Sequence, residues 1–151
     1  MTVHLRPALP NEAPALTALS LRSKAFWGYD AVFMRACVEE LTLYPSDLAP
    51  ETFMVAERDQ VVAGLAQIAP LDSDADLLAL FVDPDHMGHG VGRALFDWSL
   101  DAARMMGANR LMIEADPGAE PFYTRMGAVT IGTAPSGSIP GRVLPLMEYQ
   151  L

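Results

Sequence analysis

The chain has a single cysteine, Cys37, among its 151 residues. No internal disulfide can form, and one lone thiol suits a reducing compartment. Basic residues are scarce: ten Lys and Arg against nineteen Asp and Glu leave a net charge of −9. Without a basic stripe to release counterions from phosphates, broad nucleic-acid binding is not expected. The acidic balance mildly favours a cationic or neutral substrate. Long apolar runs are missing too. The longest, Leu77–Val82, is far too short to cross a bilayer, so no membrane association is expected. The opening residues MTVHLRPALPNEAP lack a charged start followed by an apolar run. No signal peptide is therefore expected, and the cytoplasm is the expected compartment. There is no internal repeat, low-complexity tract or dividing linker, which predicts a single domain over residues 1–151.

Apolar residues make up 51% of the chain, enough for a real core. The most informative stretch runs from Leu77 to Leu95, LLALFVDPDHMGHGVGRAL. It reads as a buried strand, a proline-marked turn, a glycine-rich loop and the start of a helix. Gly88, Gly90 and Gly92 alternate with His89 and Val91. Residues without a Cβ let the backbone curl and point several N–H groups one way, at the positive end of the helix dipole. Such a place holds a phosphate or pyrophosphate. The G-x-G-x-x-G spacing of dinucleotide folds and the Lys-Ser/Thr of a P-loop are both absent.

Strands are predicted at Val3–Arg6, Thr52–Glu57, Val61–Ala69, Leu77–Val82, Arg110–Ala115, Ala128–Thr133 and Leu146–Leu151. A first helix follows Asn11 as N-cap and is broken by Gly28; a second follows Asp30 as N-cap. A third starts at Val91 and ends at Gly107, and a short fourth covers Ala119–Met126. Arg58-Asp59-Gln60 predicts a hairpin with a longer loop, and residues 134–145 a connecting or functional loop. The order β-α-α-β-β-β-α-β-α-β-β predicts a three-layer α/β (α+β) fold: a mixed sheet of about seven strands with helices on both faces.

Two motifs in this order resemble the Gcn5-related N-acetyltransferases, the GNAT family. Met87-Gly88-His89-Gly90-Val91-Gly92 resembles the family's signature loop, with Met87 where the family has Arg or Gln. Ala119-Glu120-Pro121-Phe122-Tyr123, leading to Gly127, resembles the Ala-x-x-Phe-Tyr segment. The resemblance implies acetyl-CoA as co-substrate and a primary amine, on a small molecule or peptide, as acceptor. It places the cofactor on Leu80, Phe81 and Val82 of the strand, on Met87, Gly88, His89, Gly90, Val91, Gly92 and Arg93 of the loop, and beside Gly118, Phe122 and Tyr123. It implies an N–H near Leu80 or Phe81 for the thioester carbonyl and Tyr123 as the acid that protonates the sulfur. Asp76 and Glu114 are the two candidates for the base, and neither is preferred. Trp27, Tyr29 and Arg142 are the substrate-side candidates, the Arg142 fork being suited to a carboxylate. A non-catalytic CoA-binding sensor is the competing function. His86 and His89 form an H-x-x-H with no third ligand in view, so no metal is expected. A homodimer is carried as an expectation.

Overall fold

A computed structural model describes residues 2–151. Seven strands form one sheet: β1 (Val3–Arg6), β2 (Phe53–Arg58), β3 (Val61–Leu71), β4 (Asp74–Val82), β5 (Arg110–Glu114), β6 (Val129–Pro135) and β7 (Val143–Gln150). The spatial order is β1-β2-β3-β4-β5-β7-β6. All neighbours are antiparallel except β4 and β5. Four helices complete the fold: α1 (Ala13–Ala25), α2 (Ala31–Leu41), α3 (Val91–Met105) and α4 (Glu120–Arg125).

Strand alternation assigns the helices to opposite faces. On β2 and β3, Val55 and Leu65 pack with Leu16 and Leu19 of α1, while Ala56 and Ala66 pack with Val91 and Leu95 of α3. A larger cluster joins Leu77, Leu111 and Ile113 to Phe96, Leu100 and Tyr123. Phe53, Leu16, Leu65, Leu95 and Phe96 are fully buried, and each such side chain contributes about 1.5–3 kcal/mol through removal from water. Gly64 is required by close approach: a Cβ there would sit 2.8 Å from the Phe81 carbonyl oxygen and 2.9 Å from Leu95 and Val91. It lets α3 lie directly on the sheet.

Several local expectations change. The β2–β3 hairpin has a two-residue turn, not a longer loop: Asp59 and Gln60 have φ of 55° and 65°, and Arg58 pairs with Val61. Two consecutive positive φ values are what a tight hairpin matched to strand twist needs. Asn11 does not cap α1. Glu12 instead turns back to accept from the Leu9 N–H at 2.8 Å and pairs with Arg6, so a 3₁₀ turn at Pro10–Glu12 runs straight into the helix. Asp30 does cap α2, accepting from the Phe33 N–H at 2.8 Å. β4 starts at Asp74, three residues before the apolar run, because Asp74 already pairs with Leu71 of β3; its carboxylate is held by Arg110 of β5 at 2.9 Å. β7 starts at Val143, which shortens the preceding loop. Pro145 lies inside it, with its carbonyl accepting from Ala115 N–H at 2.9 Å.

The decisive feature is where β4 and β5 part. They pair only from Ala75–Leu77 to Leu111–Ile113, and β4 continues to Val82 paired with β3 but not with β5. From Leu78 onward the β5-facing edge of β4 has no strand partner. The sheet opens there into a cleft whose floor leads to the glycine loop.

Candidate active site

The cleft is a cavity of about 530 Å³. Leu77–Val82, the loop residues Met87, Gly88 and Gly90 with Val91, Gly92 and Arg93, and Phe122 and Tyr123 line it. Gly88 and Gly90 have φ of 79° and 83°, a conformation glycine adopts without strain. Gly90 is the N-cap of α3, and its carbonyl accepts from Ala94 N–H at 3.0 Å. The N–H groups of residues 88–93 find no acceptor among the described residues. They form a cradle of backbone donors at a helix N-terminus, suited to an anion. Gly92 lets α3 approach α4: a Cβ there would lie 3.2 Å from the Phe122 ring.

The turn before the loop is tied down. Asp83 accepts from Asp85 N–H at 3.0 Å and from Arg22 at 2.7 Å. Burial works to raise the Asp83 pKa, but these partners outweigh it and hold the carboxyl below its ordinary value. Arg58 donates to His86 Nδ1 at 2.9 Å. A guanidinium has only donors, so Nδ1 is the acceptor in this contact. Among the described residues no group of three His, Cys, Asp or Glu side chains could hold a metal.

Tyr123 is buried against Phe96 and Phe122. Its hydroxyl makes no hydrogen bond among the described residues while its side chain lines the cavity. Burial, then the negative charge of Asp116, pushes its pKa up, so it carries its proton throughout the physiological range. Asp76 pairs with Met112 across the β4–β5 junction, two residues before Glu114. Burial, then the Glu114 charge, raises the Asp76 pKa. Glu114 lines the cavity and Asp76 does not.

Sequence reasoning missed the residue that joins two of the substrate-side candidates, Tyr29 and Arg142. Asp116, in a turn read only as Asp-Pro-Gly, accepts from Lys24 Nζ and Tyr29 Oη at 2.8 Å each and from Gly118 N–H at 2.9 Å. Arg142 Nη2 lies 3.8 Å from the same carboxylate and donates to Tyr29 Oη at 2.6 Å. Burial opposes ionisation of Asp116, yet Lys24, the Gly118 N–H and Tyr29 together hold its pKa low. Tyr29 is pushed up to about 12, by burial first and then by Asp116. The Tyr29 ring stacks on Phe33 at 3.9 Å, and the Arg142 guanidinium lies 5.1 Å and 4.9 Å from the two ring centres. Arg142 is thus already engaged within the protein rather than held out as an open fork. Lys24 is the chain's one lysine, the only sequence signal for this cluster. Trp27 and Arg142 line the cavity; Tyr29, His89 and Gly118 stand just outside its lining.

A donor cradle, an open strand edge and a protonated tyrosine share one cleft. Residues 19–128 match the sequence profile described as the acetyltransferase (GNAT) family. The chain belongs to the GNAT acetyltransferases. Peptidyl-lysine N-acetyltransferase YjaB of Escherichia coli is 30% identical over 149 residues, covering 98% of this chain and 96% of the relative. A GCN5-related N-acetyltransferase of Rhodopseudomonas palustris superposes with a TM-score of 0.82 at 26% identity, covering 100% of this chain and 97% of that one. The fold also matches the PaiA N-acetyltransferase of Thermoplasma acidophilum in complex with coenzyme A, with a TM-score of 0.80 at 17% identity and full coverage of both chains. This GNAT protein is accordingly an N-acetyltransferase that uses acetyl-CoA. Its cleft fits that co-substrate. The free loop amides would suit a pyrophosphate, and the β4 edge beyond Leu77 would suit an extended amide-containing arm.

Proposed function

We propose that this acetyltransferase modifies a primary amine of the lysine type, by direct attack within a ternary complex. The observation that carries the proposal is the alignment of three parts in one cleft: the donor cradle at residues 88–93, the open edge of β4 and the Tyr123 hydroxyl. The names of the Escherichia coli and Salmonella relatives, both peptidyl-lysine N-acetyltransferases, support the acceptor class. Acetyl-CoA, when bound, supplies an acyl group already activated as a thioester. The loop amides and Arg93 hold the phosphates, and the Leu80 or Phe81 N–H donates to the thioester carbonyl. Asp76 or Glu114 takes the proton of the attacking amine, directly or through water; burial and then the Glu114 charge raise the Asp76 pKa, which strengthens it as a proton acceptor. Tyr123 gives its proton to the leaving sulfur.

The test is calorimetry with acetyl-CoA, followed by free-thiol release with a panel of lysine peptides and small amines. Saturable binding and turnover with the peptides are expected; the absence of binding at millimolar acetyl-CoA refutes the proposal. We also infer a cytoplasmic homodimer. The buried free Cys37 supports a reducing compartment, and exposed Val129, Ile131 and Val143 on the edge pair β6–β7 support self-association. Sedimentation of the purified protein checks the latter.

A further inference from the structure

Gly118 has no positive φ, so its backbone does not demand glycine. Its surroundings do. A Cβ at Gly118 would lie 2.6 Å, 2.7 Å and 3.0 Å from Cε3, Cδ2 and Cζ3 of Trp27. The six-membered ring of the indole is therefore seated directly on the Gly118 backbone. Trp27 also lines the cavity, together with Tyr123 and the β4 residues Leu80 and Phe81. It belongs to the turn after α1, where a tryptophan on the surface would otherwise be free to swing.

That turn is not free. Lys24, three residues before Trp27, and Tyr29, two residues after it, both bond to Asp116 at 2.8 Å, and Asp116 also accepts from the Gly118 N–H at 2.9 Å. The indole is pinned on both sides in sequence to the same turn that carries its glycine seat. That turn leads into α4 and Tyr123, whose pKa responds to the Asp116 charge. The fixed indole and Tyr123, the group assigned to the leaving sulfur, line the same cavity, in which the transferred acyl group would lie.

We propose that Trp27, seated on Gly118, is the wall that limits the size of the acyl group this enzyme accepts. The proposal rests on the acetyl-CoA reading above and adds to it a chain-length determinant. Trp27 is 41% exposed, so what resists extra methylenes is its seat on Gly118 and the bonds of Lys24 and Tyr29 to Asp116 on either side of it. Each methylene without room in a closed pocket costs about tenfold or more in discrimination.

The experiment is calorimetry of acetyl-, propionyl- and butyryl-CoA, which needs no acceptor, on the wild type, Trp27→Ala, Trp27→Phe, Gly118→Ala and the Trp27→Ala/Gly118→Ala double variant. The wild type is expected to bind butyryl-CoA at least about tenfold more weakly than acetyl-CoA. Trp27→Ala is expected to bring the two within about threefold, with Trp27→Phe between. Gly118→Ala, which pushes the indole off its seat, is expected to weaken binding of all three, and the double variant to regain it. The ratio between acyl chains is a readout that a general loss of stability does not move. An unchanged ratio in both Trp27 variants overturns the proposal, as does a double variant whose losses simply add. Failure of the wild type to bind any of the three refutes instead the acetyl-CoA reading on which the proposal rests.

Discussion

Replacing Asp116 with alanine tests the cluster it forms with Lys24, Tyr29 and Gly118 most directly. The carboxylate is 12% exposed and Lys24 is 15% exposed, so this ion pair is shielded rather than a surface contact. The change removes hydrogen bonds to Lys24, Tyr29 and Gly118 N–H at once. It also leaves the Lys24 ammonium without its anion. Breaking a buried pair by deleting one partner costs about 3–5 kcal/mol. Lys24 retains a route to water, so the lower end applies, about 3 kcal/mol. At about 2–4 °C per kcal/mol for a chain of this size, the expected fall in Tm is about 6–12 °C. Scanning calorimetry and urea unfolding are the assays. The pH dependence adds a sign. Asp116 has a folded pKa held below its ordinary value of about 3.9. Its stabilisation is therefore fully present above about pH 4 and is lost as the pH falls through the folded value. The gap between wild type and Asp116→Asn should close at low pH. A loss under about 1 kcal/mol, or a gap that ignores acid, refutes the reasoning.

Tyr123→Phe keeps the packing against Phe96 and Phe122 but removes the proton donor; kcat should fall about 100-fold or more with acetyl-CoA affinity within about twofold, as steady-state kinetics and calorimetry would show. Asp76 has the opposite linkage to Asp116: burial and then Glu114 raise its folded pKa, so its contribution is present below the unfolded value and lost as pH rises through the folded one. Asp76→Asn should therefore be more stable than wild type at pH 7, with the difference vanishing under acid, and lower in activity if it is the base. Gly64→Val forces side-chain atoms against the Phe81 carbonyl, Val91 and Leu95, and should cost about 1–3 kcal/mol in urea unfolding. Gly90→Ala places a Cβ at φ 83° in the loop, where it meets no neighbour, so stability should drop by only about 1 kcal/mol while CoA affinity falls more clearly.

By itself the sequence determined the number, type and order of the elements, because each depends on residues within a few positions. Apolar alternation marks Val55, Ala56, Leu65 and Ala66 as strand residues, Asp30 caps its own helix, and Gly107 at φ 75° ends α3 within one turn of it. The glycine loop and the Phe122-Tyr123 pair were legible for the same reason: their chemistry is local. The tertiary structure decided where the strands part and what meets at the parting. The β4–β5 pairing stops at Leu77 and Ile113 although both strands are apolar there, and no local pattern encodes that stop. The Asp116 cluster joins residues 92, 87 and 113 positions apart, counted from Lys24 to Asp116, Tyr29 to Asp116 and Tyr29 to Arg142. Gly118 likewise has a backbone that any residue could adopt. Only the indole folded onto it from α1's far end makes glycine necessary, because steric exclusion acts through space and leaves no trace in spacing along the chain.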